Sequence, residues 1–122
     1  MRIGDRVEIL RTYRAADAAR FADLAGLGSN ATDHVPEPLI AALFSYLLGV
    51  KLPGPGTNYL KQELTFLAQA RWGAALTAFV EVTRLRPEKN LVDLVTVCVQ
   101  GDGTVVCRGR ALVLFKAPGE TP

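Results

Sequence analysis

Leu39, Ile40, Ala41, Ala42, Leu43, Phe44, Ser45, Tyr46, Leu47, Leu48 and Gly49 follow one another in a run that is apolar on nearly every side of a helix. A helix lying on a surface keeps a polar face, so this one has to be enclosed. The apolar stretch, residues 38–50, is too short to cross a bilayer and reads as a buried helix. Directly behind it stand Leu52, Pro53, Gly54, Pro55, Gly56 and Thr57, a proline- and glycine-dense corner. Tyr59 and Leu60 then open a strand pattern that reaches Phe66. Helix, corner and strand in immediate succession turn back on one another. A sheet that wraps the helix is the arrangement that encloses it.

The rest of the chain supplies such a sheet. Residues 7–13 suit a first strand. Residues 15–25 suit a short amphipathic helix, with Phe21, Leu24 and Ala25 on one side and Asp17, Arg20 and Asp23 elsewhere. Gly26, Leu27, Gly28, Ser29 and Asn30 end it, and the segment through Val35 reads as an irregular loop. Pro36 or Pro38 fits the first turn of the enclosed helix, where a missing N–H costs nothing, and Glu37 suits its positive end. That helix is expected to run to about Leu48 with Gly49 as its C-cap. Strands are expected at residues 58–67, 73–86, 91–100 and 104–115, and the tail 118–122 should fray. In the second of these strands Leu76, Ala78, Val80 and Val82 share one face, and Thr77, Phe79, Glu81 and Thr83 the other. The order β-α-loop-α-β-β-β-β gives an α+β fold, an antiparallel sheet around a long central helix. At 122 residues it forms one domain, 1–122. An unpaired edge on long strands predicts a homodimer.

Bulk properties narrow the functional classes. A hydrophobic fraction of 49% is that of a folded globular chain. A net charge of +2, with no basic cluster interleaved with aromatics, argues against a nucleic-acid partner. No basic start leads into an apolar stretch and cleavage site, so neither secretion nor a membrane partner is expected, and the location is read as cytoplasmic. Two cysteines and one distant histidine are too few for a zinc site, so no metal is expected. A two-residue turn at Asp102-Gly103 would set Cys98 directly opposite Cys107. A cross-strand disulfide is then conceivable, though two reduced thiols suit a cytosolic chain better.

The wording of the corner is specific. Leu52 to Thr57, then Tyr59, Leu60, Gln62, Leu64 and Phe66, resembles the corner of MaoC-like (R)-specific enoyl-CoA hydratases, a hot-dog fold family. The resemblance is strongest over residues 40–66 and implies an acyl-thioester enzyme whose substrate carries coenzyme A or an acyl carrier protein, with no separate cofactor. It also implies a catalytic Asp and His in a motif Gly-Asp-x-Asn-Pro-x-His after the short helix, and a backbone N–H near the start of the central helix to hold the thioester carbonyl. The chain departs from that motif. Gly26 is in place, but Leu27 stands at the aspartate position, Ser29 and Asn30 at the Asn and Pro positions, and Thr32 at the histidine.

Hydration of an enoyl thioester needs a base for water, an acid for the α-carbon and donors for the carbonyl. The shortened loop holds Asn30, Asp33, the single histidine His34 and Glu37 close to the central helix. His34 is the one side chain here whose ordinary titration falls near neutral pH. Asp33 and Glu37 are its candidate carboxylate partners. Adjacent residues point apart in extended chain, so His34 with Glu37 is the easier pair unless the loop turns sharply. Asp33 could instead cap the helix, and Glu37 could only complement its dipole. Asn30, Tyr59 and Gln62 are candidate substrate-binding residues, with Gln62 shaping an acyl pocket and Tyr59 chiefly packing. Ser45 has no adjacent base and is not a nucleophile candidate. Three readings stay open: a hydratase with His34 and a carboxylate in place of the lost dyad, a non-catalytic acyl-binding or partner subunit in a heteromer, and a thioesterase in which Glu37 or Asp33 activates water.

Overall fold

The computed structural model describes residues 1–26 and 33–116. Five strands make one antiparallel sheet: β1 (Arg6–Thr12), β2 (Thr57–Phe66), β3 (Ala75–Arg86), β4 (Leu91–Gln100) and β5 (Val105–Phe115). Their spatial order is β1-β3-β4-β5-β2, so β1 and β2 are the two edges. Helix α1 (Ala15–Leu24) follows β1, and α2 (Glu37–Tyr46) is the central helix. Asp17 accepts the Arg14 N–H at 2.8 Å at the start of α1, one half of a capping box.

Ile40, Leu43 and Phe44 of α2, with Leu47 and Leu48 beyond it, pack on Leu76, Ala78, Val80 and Val82 of β3 and on Val92 and Leu94 of β4. These are the β3 residues whose alternation marked an inner face, and all four are buried. Phe44, Leu47 and Leu48 are fully buried, each contributing about 1.5–3 kcal/mol of apolar transfer. Tyr13 fastens the end of β1 to the first turns of α2, its hydroxyl donating to the Leu39 carbonyl at 3.0 Å.

The helix does not stop at Gly49. From Leu47 to Lys51 it widens into a π-helical turn, so Gly49 lies inside it rather than capping it. The corner itself satisfies the last carbonyls, with the Leu52 N–H on Leu47 O at 2.8 Å and the Gly54 N–H on Leu48 O at 2.9 Å. Gly56 then passes so close to the Lys116 carbonyl that any Cβ would overlap it, and its φ of +99° is one that other residues avoid.

Three register shifts interrupt the ladders, one of them at Thr83 of β3, between Val82 and Arg84. In β2, Tyr59 pairs with Val113 and Lys61 with Leu112, so Leu60 is one residue too many, a β-bulge. At the β4–β5 hairpin, the Gly103 N–H donates to Gln100 O at 2.9 Å and the Gln100 N–H to Thr104 O at 2.8 Å. The connection is therefore a three-residue loop, not the expected two-residue turn at Asp102-Gly103. Cys98 still pairs with Cys107, because the register shifts between Cys98 and Val99. Both cysteines are free and buried. The tail 118–122 lies outside the described residues.

Candidate functional site

The site is built around the N-terminal end of α2. Pro36 is the N-cap, with no side chain bonded to the helix end, so the capping role considered for Asp33 is not the one it takes. Pro38 has no N–H, and the Leu39 N–H turns onto Pro36 O at 3.0 Å. Glu37 therefore carries the outward-facing N–H donor of the first turn, at the positive end of the helix. Its carboxylate sits in that same turn.

Asp33 and His34 form a direct pair. The chain bends at these two residues, and His34 Nδ1 meets Asp33 Oδ1 at 2.9 Å. The sharp turn that an extended reading did not supply is present. Asp33 is almost fully exposed while the His34 side chain is 30% exposed, so the pair leans inward through the imidazole. The bond from His34 holds the Asp33 carboxyl below its ordinary range, helped by a backbone bond.

His34 and Glu37 line one cavity of about 280 Å³. Val35 and Ile40 supply apolar surface, and the opposite wall is Phe66 with residues 67–70. The Val35 N–H donates to Ala70 O at 2.7 Å, which ties the two walls together. Gln100, buried on β4, accepts the Arg71 N–H through Oε1 at 3.0 Å and fixes the connection that follows β2. Gln69, which also lines the cavity, is not among the residues the sequence pointed to. It lies in irregular chain with no periodicity to mark it. Cys107 pairs with Phe66 across β5 and β2, and burial pushes its thiol up to about 11, with the Glu37 carboxylate adding to the effect.

Tyr59 and Gln62 form a second cluster, toward the C-terminal end of α2. The bulge at Leu60 puts both on the inner face, since Gln62 pairs with Ala111 and Tyr59 with Val113, and both of these face the core. Gln62 Nε2 donates to the Tyr59 hydroxyl at 3.1 Å. Burial pushes the Tyr59 hydroxyl up to about 12, while a hydrogen bond with Ser45 acts in the opposite direction. Ser45 lies eight residues beyond Glu37, about 12 Å along the helix. The structure thus brings Asp33, His34 and Glu37 together and sets Tyr59 and Gln62 apart from them. Asn30 lies outside the described residues, as do Leu27 and Thr32 of the motif register. Among the described residues no group of three or more His, Cys, Asp or Glu side chains could hold a metal ion, and no helix is long and apolar enough to cross a membrane.

An antiparallel five-stranded sheet wrapped around one central helix, with polar groups gathered at the helix N-terminus, defines a hot-dog domain. The crystal structure of the (R)-hydratase from Aeromonas caviae involved in PHA biosynthesis superposes with a TM-score of 0.84 at 32% identity, covering 95% of this chain and 98% of that one. In sequence, the (R)-specific enoyl-CoA hydratase of Aeromonas caviae is 34% identical over 93% of this chain and 94% of its own length. The (R)-specific enoyl-CoA hydratase of Rhodospirillum rubrum is 46% identical over 66% of this chain, a match that spans 56% of that relative's length. No family model matches the chain. The chain belongs to the (R)-specific enoyl-CoA hydratase family of MaoC-like hot-dog proteins.

Proposed function

We infer that this protein interconverts 2-enoyl and (R)-3-hydroxyacyl thioesters, with a proton-transfer site rebuilt at the start of the central helix. The observation that carries the reading is the shared cavity. His34, held by Asp33, and Glu37 line the same space of about 280 Å³ beside the helix N-terminus. With the thioester oxygen on the Glu37 N–H, electron demand at C3 rises. Water adds there and loses its proton to the Glu37 carboxylate. C2 takes a proton from the imidazolium of His34. When Nδ1 donates to Asp33, Nε2 is the ring atom that gives and regains the proton. Exchange with solvent resets both groups, and dehydration runs the same steps in reverse.

A second reading rests on the altered motif. Leu27 and Thr32 cannot transfer protons where the family pattern has Asp and His, which suits a non-catalytic acyl-binding subunit in a heteromer with a catalytic homologue. A hydrolytic reading, with Glu37 activating water at the carbonyl, uses the same cavity and differs only in releasing thiol. Edge strand β2 supports self-association, since residues 58–63 are consecutively exposed and include Tyr59 and Leu60. A homodimer is the assembly we assign, and a monomer in sedimentation at micromolar concentration would remove it.

The test is incubation with crotonyl-CoA while alkene absorbance, free thiol and product configuration are followed together. Formation of (R)-3-hydroxybutyryl-CoA, lost in His34→Gln with the melting temperature unchanged, is the expected result. Thiol release without hydration would transfer the assignment to a thioesterase. Turnover unaffected by His34→Gln would remove the histidine from the mechanism. Binding with neither reaction would favour the partner subunit.

A further inference from the structure

The inner face of β4 is apolar at Val92, Leu94 and Cys98 but also carries two polar residues, Thr96 and Gln100, both buried. They fare differently. The Thr96 hydroxyl finds no hydrogen-bond partner among the described residues. Gln100 Oε1 accepts the Arg71 N–H at 3.0 Å. Burying an amide costs stability unless its polar atoms are matched, so the question is what this bond fixes. Gln100 is a firm support for it. At the root of the hairpin its own N–H donates to Thr104 O at 2.8 Å, and its carbonyl accepts the Gly103 N–H at 2.9 Å.

The peptide held by Gln100 is the one that reaches the candidate site. The Arg71 N–H and the Ala70 carbonyl belong to a single planar unit and point in opposite directions. On the far side the Ala70 carbonyl accepts the Val35 N–H at 2.7 Å. That N–H belongs in turn to the peptide joining His34 to Val35, whose plane contains the His34 Cα. Three rigid groups therefore stand in line: the Gln100 amide, the 70–71 peptide and the 34–35 peptide. Turning the middle one strains a bond at each end. Val35 and Ala70 are both 1% exposed, so water is poorly placed to replace the inner bond. Residues 67–74 lie outside the strands, and the exposed pair of Arg71 with Asp102, at 3.5 Å, adds little hold there. We propose that Gln100 is a positioning residue for His34, fixing the backbone from which the imidazole projects while Asp33 holds the ring. The link to turnover rests on the proton-transfer role proposed for His34, and the link to the position of His34 does not.

His34 is the single histidine of the chain, so the imidazole resonances in a proton–carbon NMR spectrum report one site. They are to be recorded without substrate in Gln100→Met, Gln100→Asn and Gln100→Glu of the full chain, beside kcat and KM for crotonyl-CoA and the melting temperature. Methionine keeps the length and loses the acceptor. Asparagine withdraws the acceptor by one carbon. Glutamate presents an acceptor oxygen whether ionised or protonated. Gln100→Met should move the His34 resonances and lower kcat about ten- to a hundredfold, as for a misplaced catalytic group, with KM little changed. Gln100→Asn should fall between, and it carries the test where Gln100→Met does not fold. Gln100→Glu should restore both readouts. Thr96→Val, an equally buried loss of a polar group on the same face, should leave the resonances in place. His34 resonances unmoved in Gln100→Met and Gln100→Asn overturn the proposal even if the melting temperature falls, since the glutamine would then serve stability alone. Equal displacement in Gln100→Glu and Gln100→Met overturns it too, because the effect would follow the change of side chain and not the hydrogen bond. Resonances displaced as expected, in a protein that never converts crotonyl-CoA, uphold the positioning and defeat the reaction proposed for the site.

Discussion

Replacing Gly109 with alanine gives a test in which the sign alone is decisive. Alanine inside a strand normally gains about 0.5–1 kcal/mol over glycine, because glycine loses more backbone freedom on folding. At position 109 the new Cβ would fall 2.9 Å from both the Glu63 carbonyl carbon and Leu64 Cδ2, and nearer still to the Glu63 oxygen. That neighbour is backbone and cannot rotate away. β2 must therefore lift off β5 locally, weakening one or two ladder hydrogen bonds at about 1 kcal/mol each, with overpacking of about 1–3 kcal/mol besides. Set against the alanine gain, these terms leave a net loss of about 1–4.5 kcal/mol, with a mid-range value of about 2–3 kcal/mol. At the usual unfolding entropy per residue, a chain of 122 residues loses about 4 °C of melting temperature per kcal/mol, so a fall of about 8–12 °C is expected. Thermal unfolding followed by circular dichroism reads it, and urea titration with an unchanged slope confirms that the folded state carries the loss. Gly49→Ala is the control, since its Cβ would meet nothing within 4 Å and the backbone there is helical. It should hold or raise stability slightly. A melting temperature for Gly109→Ala equal to or above that of the parent would refute the packing argument.

The buried thiols set an alkaline limit. Cys98 and Cys107 are each pushed up to about 11 from 9.0, mainly by burial, so above pH 9 the unfolded chain releases protons that the folded one keeps. Stability should fall as pH rises from about 9 to 11, and Cys98→Ala should flatten that limb; a slope unaltered by the substitution would count against it. Tyr59→Phe removes the acceptor of the Gln62 bond and the partner of Ser45, and should cost about 1 kcal/mol without affecting His34-dependent chemistry. A loss of turnover with stability intact would instead give the hydroxyl a direct role. Asp33→Asn removes the carboxylate that holds His34 Nδ1, so the pH profile of turnover should shift while thermal stability stays nearly constant. An unshifted profile would confine Asp33 to a solvated bystander.

The fold was readable wherever burial imposes a period. Leu76, Ala78, Val80 and Val82 announced the inner face of β3, whereas the run from Leu39 to Leu48 is enclosed on one side only: Ile40, Leu43, Phe44, Leu47 and Leu48 are buried, and Ala42, Ser45 and Tyr46 are exposed. What escaped was set by backbone closure. Nothing in the composition of residues 47–51 separates a π-helical turn from an ordinary helix end, because the choice is made where the Leu52 and Gly54 N–H groups find their acceptors. Strict alternation back from Phe66 would turn Leu60 inward and Tyr59 outward, and the bulge reverses both. At the candidate site, residue types pointed to His34, Asp33 and Glu37, while their grouping depended on a bend at Asp33 that propensity does not specify. Gln69 gave no signal, since its place follows from how Gln100 and Val35 anchor the chain on either side.

The surplus residue in β2 also governs where this chain tolerates a change of length. Thr57 to Tyr59 and Lys61 to Phe66 are two half-strands, each in step with β5, joined by one residue that the ladder does not count. Removing Leu60 would leave both halves with their present facings, Tyr59 and Gln62 inward and Lys61 and Glu63 outward. Loss of Tyr59 or Lys61 lets Leu60 take the vacated place in the ladder, whereas removing any of residues 62–65 would turn part of the strand over and put charged side chains against the helix. A scan of single-residue deletions along β2 should therefore find its tolerated positions at Leu60 and its immediate neighbours, and one within residues 62–65 would show that the strand can slip. Length variation in this strand, unlike variation in its side chains, is confined to a single step.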